Sequence, residues 1–249
     1  MDERRTHIDL FSGIGGFALA AKWNGLETVC FCEIDPECRT FLERTWPGIP
    51  VHEDVKIFPA SDYRGAFLLT AGVPCQPVSC AGKRRGAEDD RWLWPEAIRI
   101  VSEAWPYWVI FENPPGIRTL GLDGILSEME TLGYAPVVLD IPACAVGSTQ
   151  ERRRIYLVAN SDGNRYSRRK MRKNLFEEKK SSGNPIESFL FPDWPPGPFA
   201  QRGIPEMPDG VSEKLLPLVA ALGNAIVPQV AAEIIRAIII SEEGLRNED

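Results

Sequence analysis

Asp9-Leu10-Phe11-Ser12-Gly13-Ile14-Gly15-Gly16, residues 9–16, sets the architecture of the chain. Residues 7–11 read as a short buried strand, 12–16 as a turn, and 17–23 as a helix ending near Asn24-Gly25. Glycines between a strand and a helix let the backbone approach a bound ligand without a side-chain clash. Glu33 follows Gly13 by twenty residues and closes the next strand, over 27–34. There an acidic side chain can accept from both hydroxyls of a ribose. This is adenosine-binding logic. The glycine spacing is not the pyrophosphate fingerprint and no P-loop lysine follows, so a non-phosphorylated adenosine such as S-adenosylmethionine fits better. Asp54, after a short strand-like stretch, suits the adenine amino group. Taken alone, the turn also fits a glycine-rich connection with no ligand.

Outward from this turn, strands and helices alternate. A helix is expected over 36–45, a strand over 66–71, a helix over 95–104, a strand over 108–112 and a helix over 122–132. Two further strands are expected over 135–141 and 154–159. The alternation predicts an α/β domain with a mainly parallel sheet. In such sheets ligands sit beyond the carboxyl ends of the strands, so the turns at 12–16, 72–76 and 112–116 should meet at one crevice. From Asn160 the pattern gives way to charge, Gly and Pro up to about residue 210. Order returns over 211–222, with a helix from about 228 to 240.

Bulk properties narrow the function. The net charge is −7. Residues 151–180 hold eleven Lys/Arg against four Asp/Glu, a local +7, so the rest carries −14. An acidic body with one basic strip suits a protein that holds nucleic acid along one edge, or one with a solvated charged loop. Six cysteines without a Cys-x-x-Cys pair, and two distant histidines, do not predict a zinc site. No apolar run reaches the ~20 residues of a membrane span and the start lacks a secretion signal, so a cytoplasmic protein with free thiols is expected.

Three of the rim segments carry reactive groups. In Gly72-Val73-Pro74-Cys75-Gln76-Pro77-Val78-Ser79, prolines stiffen the turn around Cys75 and hold its thiol outward. A Pro-Cys pair alone also fits an inert cysteine. In Phe111-Glu112-Asn113-Pro114-Pro115-Gly116, Glu112 sits at a strand end on the rim expected for Cys75, suited to acid–base work or to a plain surface acid. In the stretch from Gln150 to Ala159, Arg152 and Arg154 occupy alternate positions at a strand start. Both should point to one face and hold a base carbonyl, a carboxylate or a phosphate, unless that edge is simply solvated.

Taken in order, these segments resemble the C5-cytosine DNA methyltransferase family. The motifs are DLFSGIGG (9–16), PCQPVS (74–79), FEN (111–113), Gln150-x-Arg152-x-Arg154 and LGNAIVPQVA (222–231). The resemblance implies the Rossmann-like α/β fold of S-adenosylmethionine-dependent methyltransferases, with helices on both faces of the sheet and a small irregular target-recognition region. It divides the chain into a catalytic domain over 1–159, a short recognition region over 160–210 and a C-terminal helical segment over 211–249. It also implies methylation of a flipped cytosine. Cys75 would be the nucleophile, Glu112 would act on ring N3, Arg154 on O2, and Arg152 would support the same pocket. Phe11, Gly13, Gly15, Glu33, Asp54, Pro74 and Asn224 match cofactor-contacting positions. Gln76, Ser79, Lys83, Arg84 and Arg85 lie in what resembles a mobile loop over DNA, and Arg168 and Arg169 belong to the basic strip. Expected partners are double-stranded DNA and a cognate restriction endonuclease; a monomer is expected, with no metal.

Two departures from the family pattern matter. Pro114 stands where the family usually has valine. The recognition region is short, which predicts a compact reader of short sites. An RNA cytosine methyltransferase, an amino-group methylase that would not need Cys75, and a non-catalytic DNA-binding or cofactor-sensing protein are the competing readings. Intact Cys75, Glu112, Arg152 and Arg154 oppose the last.

Overall fold

The computed structural model describes residues 5–74, 92–161 and 225–246. Within them lies one seven-stranded sheet in the order β3-β2-β1-β4-β5-β7-β6. Its strands are β1 (Thr6–Leu10), β2 (Glu27–Cys32), β3 (Val51–His52), β4 (Leu68–Ala71), β5 (Trp108–Asn113), β6 (Ala135–Pro142) and β7 (Arg153–Asn160). The pairs β1·β2, β2·β3, β1·β4 and β4·β5 are parallel; β7 runs antiparallel to both β5 and β6. The expected mainly parallel sheet is therefore present, with one reversed strand. β4 and β5 are buried throughout, as strands covered on both sides must be.

Helices cover both faces. α3 (Trp94–Ala104), α4 (Ile117–Leu120) and α5 (Leu122–Thr131) pack on one side, where Ile100, Val101, Ile117, Ile125 and Met129 meet Ile8, Leu69, Val109, Phe111 and Leu157. α1 (Gly16–Trp23) and α6 (Pro228–Arg246) pack on the other, where Phe17, Ile234, Ile235 and Ile238 meet Leu68, Trp108, Ile110 and Tyr156. The alternation of partners along β5 and β7 is the two-residue period of a strand sorting its side chains between two layers. α2 (Pro36–Thr45) lies at the outer edge, with Leu42 against Phe31. It starts where Asp35 Oδ1 accepts from the backbone N–H of Glu37 and Cys38, with Pro36 in the first turn. α6 runs six residues past the expected end. Among the described residues no helix is long and apolar enough to cross a membrane.

A polar chain runs through the sheet. Thr70 Oγ1 donates to Asp9 Oδ1 at 3.0 Å, so its oxygen accepts from His7 Nε2 at 2.8 Å. That leaves His7 Nδ1 to accept from Thr28 Oγ1 at 2.9 Å. Burial pushes the His7 pKa down to about 3 and raises that of Asp9 well above its ordinary value. The two act on stability with opposite signs. His7 stays neutral in the fold while the unfolded chain binds a proton, so its contribution is lost as pH falls from about 6.5 toward 3. Asp9 keeps a proton that the unfolded chain gives up, so its contribution is lost as pH rises above its ordinary range. Denaturant unfolding of wild type and His7→Gln at pH 7 and pH 5 isolates the first. The wild type should lose about 2 kcal/mol more than the variant over that interval; equal losses would show that the imidazole does not titrate with folding.

Candidate active site

The carboxyl ends of β1, β4 and β5 form one rim, as expected. β1 is followed by Phe11, whose φ of 51° is left-handed, an unusual conformation for a bulky residue. Gly13 and Gly15 are left-handed too, at 53° and 81°. A Cβ on Gly15 would lie 3.0 Å from Leu42 Cδ2, so this turn is closed on that side, whereas nothing lies within 4 Å of one on Gly13. The turn is open where a ligand would approach and packed where it meets α2.

Glu33, just past β2, holds the turn in place. Its Oε2 accepts from Gly13 N–H at 2.7 Å and its Oε1 from Asp35 N–H at 2.8 Å. A carboxylate has further lone pairs on both oxygens, so it can still take hydroxyl donors. Asp54 follows β3, and its Oδ1 accepts from Lys56 N–H at 2.9 Å. Two side chains that sequence reading passed over lie close to these acids along the chain. Ile34 is 71% exposed and Ile57 80% exposed. Large apolar groups left bare next to buried or capped carboxylates suit the apolar face of a purine. Ile34 directly follows Glu33 and Ile57 lies three residues past Asp54, but only their exposure marks them out.

On the other half of the rim, Glu112 and Arg154 meet. Arg154 Nε lies 2.9 Å from Glu112 Oε1. Glu112 is on β5 and pairs across the ladder with Tyr156, so Arg154 sits diagonally beside it on the α1/α6 face. The other oxygen, Oε2, faces Gly72, where a Cβ would stand 3.9 Å from it and 4.0 Å from the Phe11 carbonyl. Burial raises the Glu112 pKa, against the opposing pull of Arg154 and then Arg152. A carboxyl group held this way keeps a proton more readily than in water while staying next to a fixed cation. Asn113 Nδ2 donates to Val73 O at 3.0 Å and so ties the end of β5 to the segment leading to Pro74. Pro114 leaves this end intact, since β5 continues through Asn113.

Arg152 corrects one expectation. It does not share β7 with Arg154; it precedes the strand, at a left-handed φ of 24°. Its charge still acts on Glu112, but its Nη2 donates to the carbonyl of Ala225 at 2.9 Å. On the opposite face, Arg153 and Arg118 share Asp140, at 3.2 and 2.7 Å. Pro74 is exposed at the end of its described segment. Cys75, Gln76, Ser79, Lys83, Arg84, Arg85, Arg168, Arg169 and Asn224 lie outside the described residues.

Comparison with known proteins identifies a family. The model described as C-5 cytosine-specific DNA methylase matches residues 5–194. The chain is 35% identical over 159 residues to the type II methyltransferase M.NgoMIV of Neisseria gonorrhoeae, covering 62% of this chain and 51% of that one. It is 38% identical over 165 residues to the type II methyltransferase M.BanI of Aneurinibacillus aneurinilyticus, covering 61% and 37%. It therefore spans about half, or less, of these relatives' length. Among solved structures, the S. pombe Dnmt2 methyltransferase superposes with a TM-score of 0.56 at 19% identity, covering 73% of this chain and 57% of that one; at this identity the likeness concerns the fold.

Proposed function

Because the chain belongs to the C-5 cytosine-specific DNA methylase family, we propose that it methylates carbon 5 of a cytosine flipped out of double-stranded DNA, with S-adenosylmethionine as donor and Cys75 as nucleophile. The observation that carries this reading is the pairing of buried Glu112 with half-buried Arg154 on the rim beside Gly72, three residues before Cys75.

Carbon 5 of cytosine is a poor nucleophile until the ring is activated. The Cys75 thiolate adds to carbon 6, forming a C–S bond and pushing an electron pair toward carbon 5. Glu112 holds or protonates ring N3, so charge does not accumulate on the base. Arg154, paired with Glu112, directs its remaining donors to the carbonyl O2, and the charge of Arg152 also acts on Glu112. Carbon 5 would then take the methyl carbon as the donor's S–CH3 bond breaks, leaving the donor as a neutral thioether. Loss of the carbon 5 proton to solvent returns the electron pair that breaks the C–S bond and expels Cys75, while N3 gives its proton back to Glu112. Cationic surroundings favour the thiolate, whose ordinary pKa is ~8.5.

The donor fits the other half of the rim. Glu33 would take the ribose hydroxyls and Asp54 the adenine amino group, while Phe11, Gly13, Gly15, Pro74 and Asn224 shape the pocket. The group supplies an electrophilic methyl. Gln76, Ser79, Lys83, Arg84, Arg85, Arg168 and Arg169 are assigned to DNA, the charged ones to phosphates. The catalytic domain, the short recognition region and the returning C-terminal helix work as one monomeric cytoplasmic unit, for modification alongside a cognate restriction endonuclease.

Tritiated methyl transfer tests the reading: incorporation into duplex DNA and not into transfer RNA is expected, and the reverse pattern would overturn it. Glu33→Gln tests the donor side. The amide can still accept from Gly13 N–H but has lost its charge and one acceptor oxygen, so the Kd for S-adenosylhomocysteine should rise roughly tenfold. An unchanged Kd by calorimetry would remove Glu33 from the donor site.

A further inference from the structure

The hydrogen bond from Arg152 Nη2 to the Ala225 carbonyl joins parts of the chain 73 residues apart. Ala225 is followed by Ile226, and a Cβ built on Gly16 would lie 2.7 Å from Ile226 Cγ1 and 3.7 Å from its carbonyl. Only glycine permits that approach. Segment 225–227 thus rests on the first residue of α1, directly after the open glycine turn. Its other end is gripped from the base-binding side by an arginine with a left-handed backbone, a conformation that persists only when its surroundings enforce it.

The rest of α6 is anchored elsewhere. Asn24 Nδ2 donates to Ala232 O at 3.1 Å, and Trp108 Nε1 donates to Glu242 Oε1 at 2.9 Å. Val230, Ile234, Ile235 and Ile238 are buried in the layer shared with α1. Losing the Arg152 bond would therefore free the segment ahead of the helix without undocking the helix.

We infer that Arg152 is a positioning residue for the methyl donor: through the Ala225 carbonyl it clamps Ile226 onto Gly16 and so fixes the wall of the glycine turn, while Arg154 serves the base. This rests on the methyl-transfer reading above. It assigns the two arginines of one motif to different ligands.

Calorimetric titration of the full chain with S-adenosylhomocysteine, without DNA, separates the roles. Arg152→Ala should raise the Kd about tenfold or more, the worth of one hydrogen bond from a charged donor. Arg152→Lys, which retains a donor, should recover part of that loss. Ile226→Ala should raise the Kd similarly, and the double variant should fall short of additivity because both changes act through one segment. Arg154→Ala should bind as wild type. In steady state, Arg152→Ala should raise the KM for the donor, whereas Arg154→Ala should lower kcat and leave that KM as in wild type. Wild-type affinity in Arg152→Ala, or an equal loss in Arg154→Ala, would overturn the inference. If Arg152→Ala does not fold, unchanged binding by Ile226→Ala overturns it alone. If the wild type itself binds no S-adenosylhomocysteine, the methyl-transfer reading fails instead.

Discussion

Cys75→Ala is expected to lower methyl transfer by at least ~10⁴-fold, the scale on which a nucleophile deletion removes a covalent route. The buried cysteines among the described residues do not offer a replacement. Burial raises the Cys30 thiol strongly, pushes Cys32 up to about 12 and Cys38 up to about 11, so none supplies thiolate near neutrality. Cys144 is the one exposed thiol among the described residues, on the turn after β6. DNA carrying 5-fluorocytosine decides between them. Fluorine cannot leave as the proton does, so the adduct is trapped once the methyl has been transferred. Wild type and Cys144→Ala should both give a denaturation-resistant complex, and peptide mapping should place the link on Cys75. Cys75→Ala should give none. A link on Cys144, or full activity without the Cys75 thiol, would end the proposed mechanism.

Glu112→Gln should cost about 10²–10⁴-fold in kcat. The amide can still donate a hydrogen bond to N3, so base binding need not suffer, but it has no proton to give. Donor binding should stay as in wild type, because Glu112 faces Gly72 and Arg154 rather than Glu33. The pH profile gives a second test. Burial raises the Glu112 pKa despite two nearby arginines, so a larger protonated fraction survives toward neutrality than for an ordinary glutamate. Activity that depends on this proton should fall as pH rises through the raised value, and Glu112→Gln should lack that limb. A loss of only a fewfold, with the limb intact, would assign the proton to another group.

Much of the fold was legible because strand–turn–helix alternation and glycine position are local properties. DLFSGIGG marked the turn, and Glu33 was placed by spacing alone. The reversal of β7 was not legible: a two-residue period announces a strand but not its direction. For the same reason Arg152 was assigned to the strand by alternation, while the structure bends the backbone before Arg153. His7 read as an ordinary strand residue, since its partners Thr28 and Thr70 are distant in sequence. Ile34 and Ile57 were passed over because bare apolar side chains become visible only once exposure is known.

The reversed strand also makes the site depend on parity. β7 is locked between two antiparallel neighbours, with Glu112 opposite Tyr156 and Ile141 opposite Arg154. Sliding it by a single position would exchange the outlook of every side chain. Arg153 would then confront the glutamate, Arg154 would face the aspartate on the far side, and Tyr156 would leave its layer. The odd and even arginines are thus a built-in key: one alignment alone completes the pocket, and the hydrophobic cost of misalignment guards the chemistry.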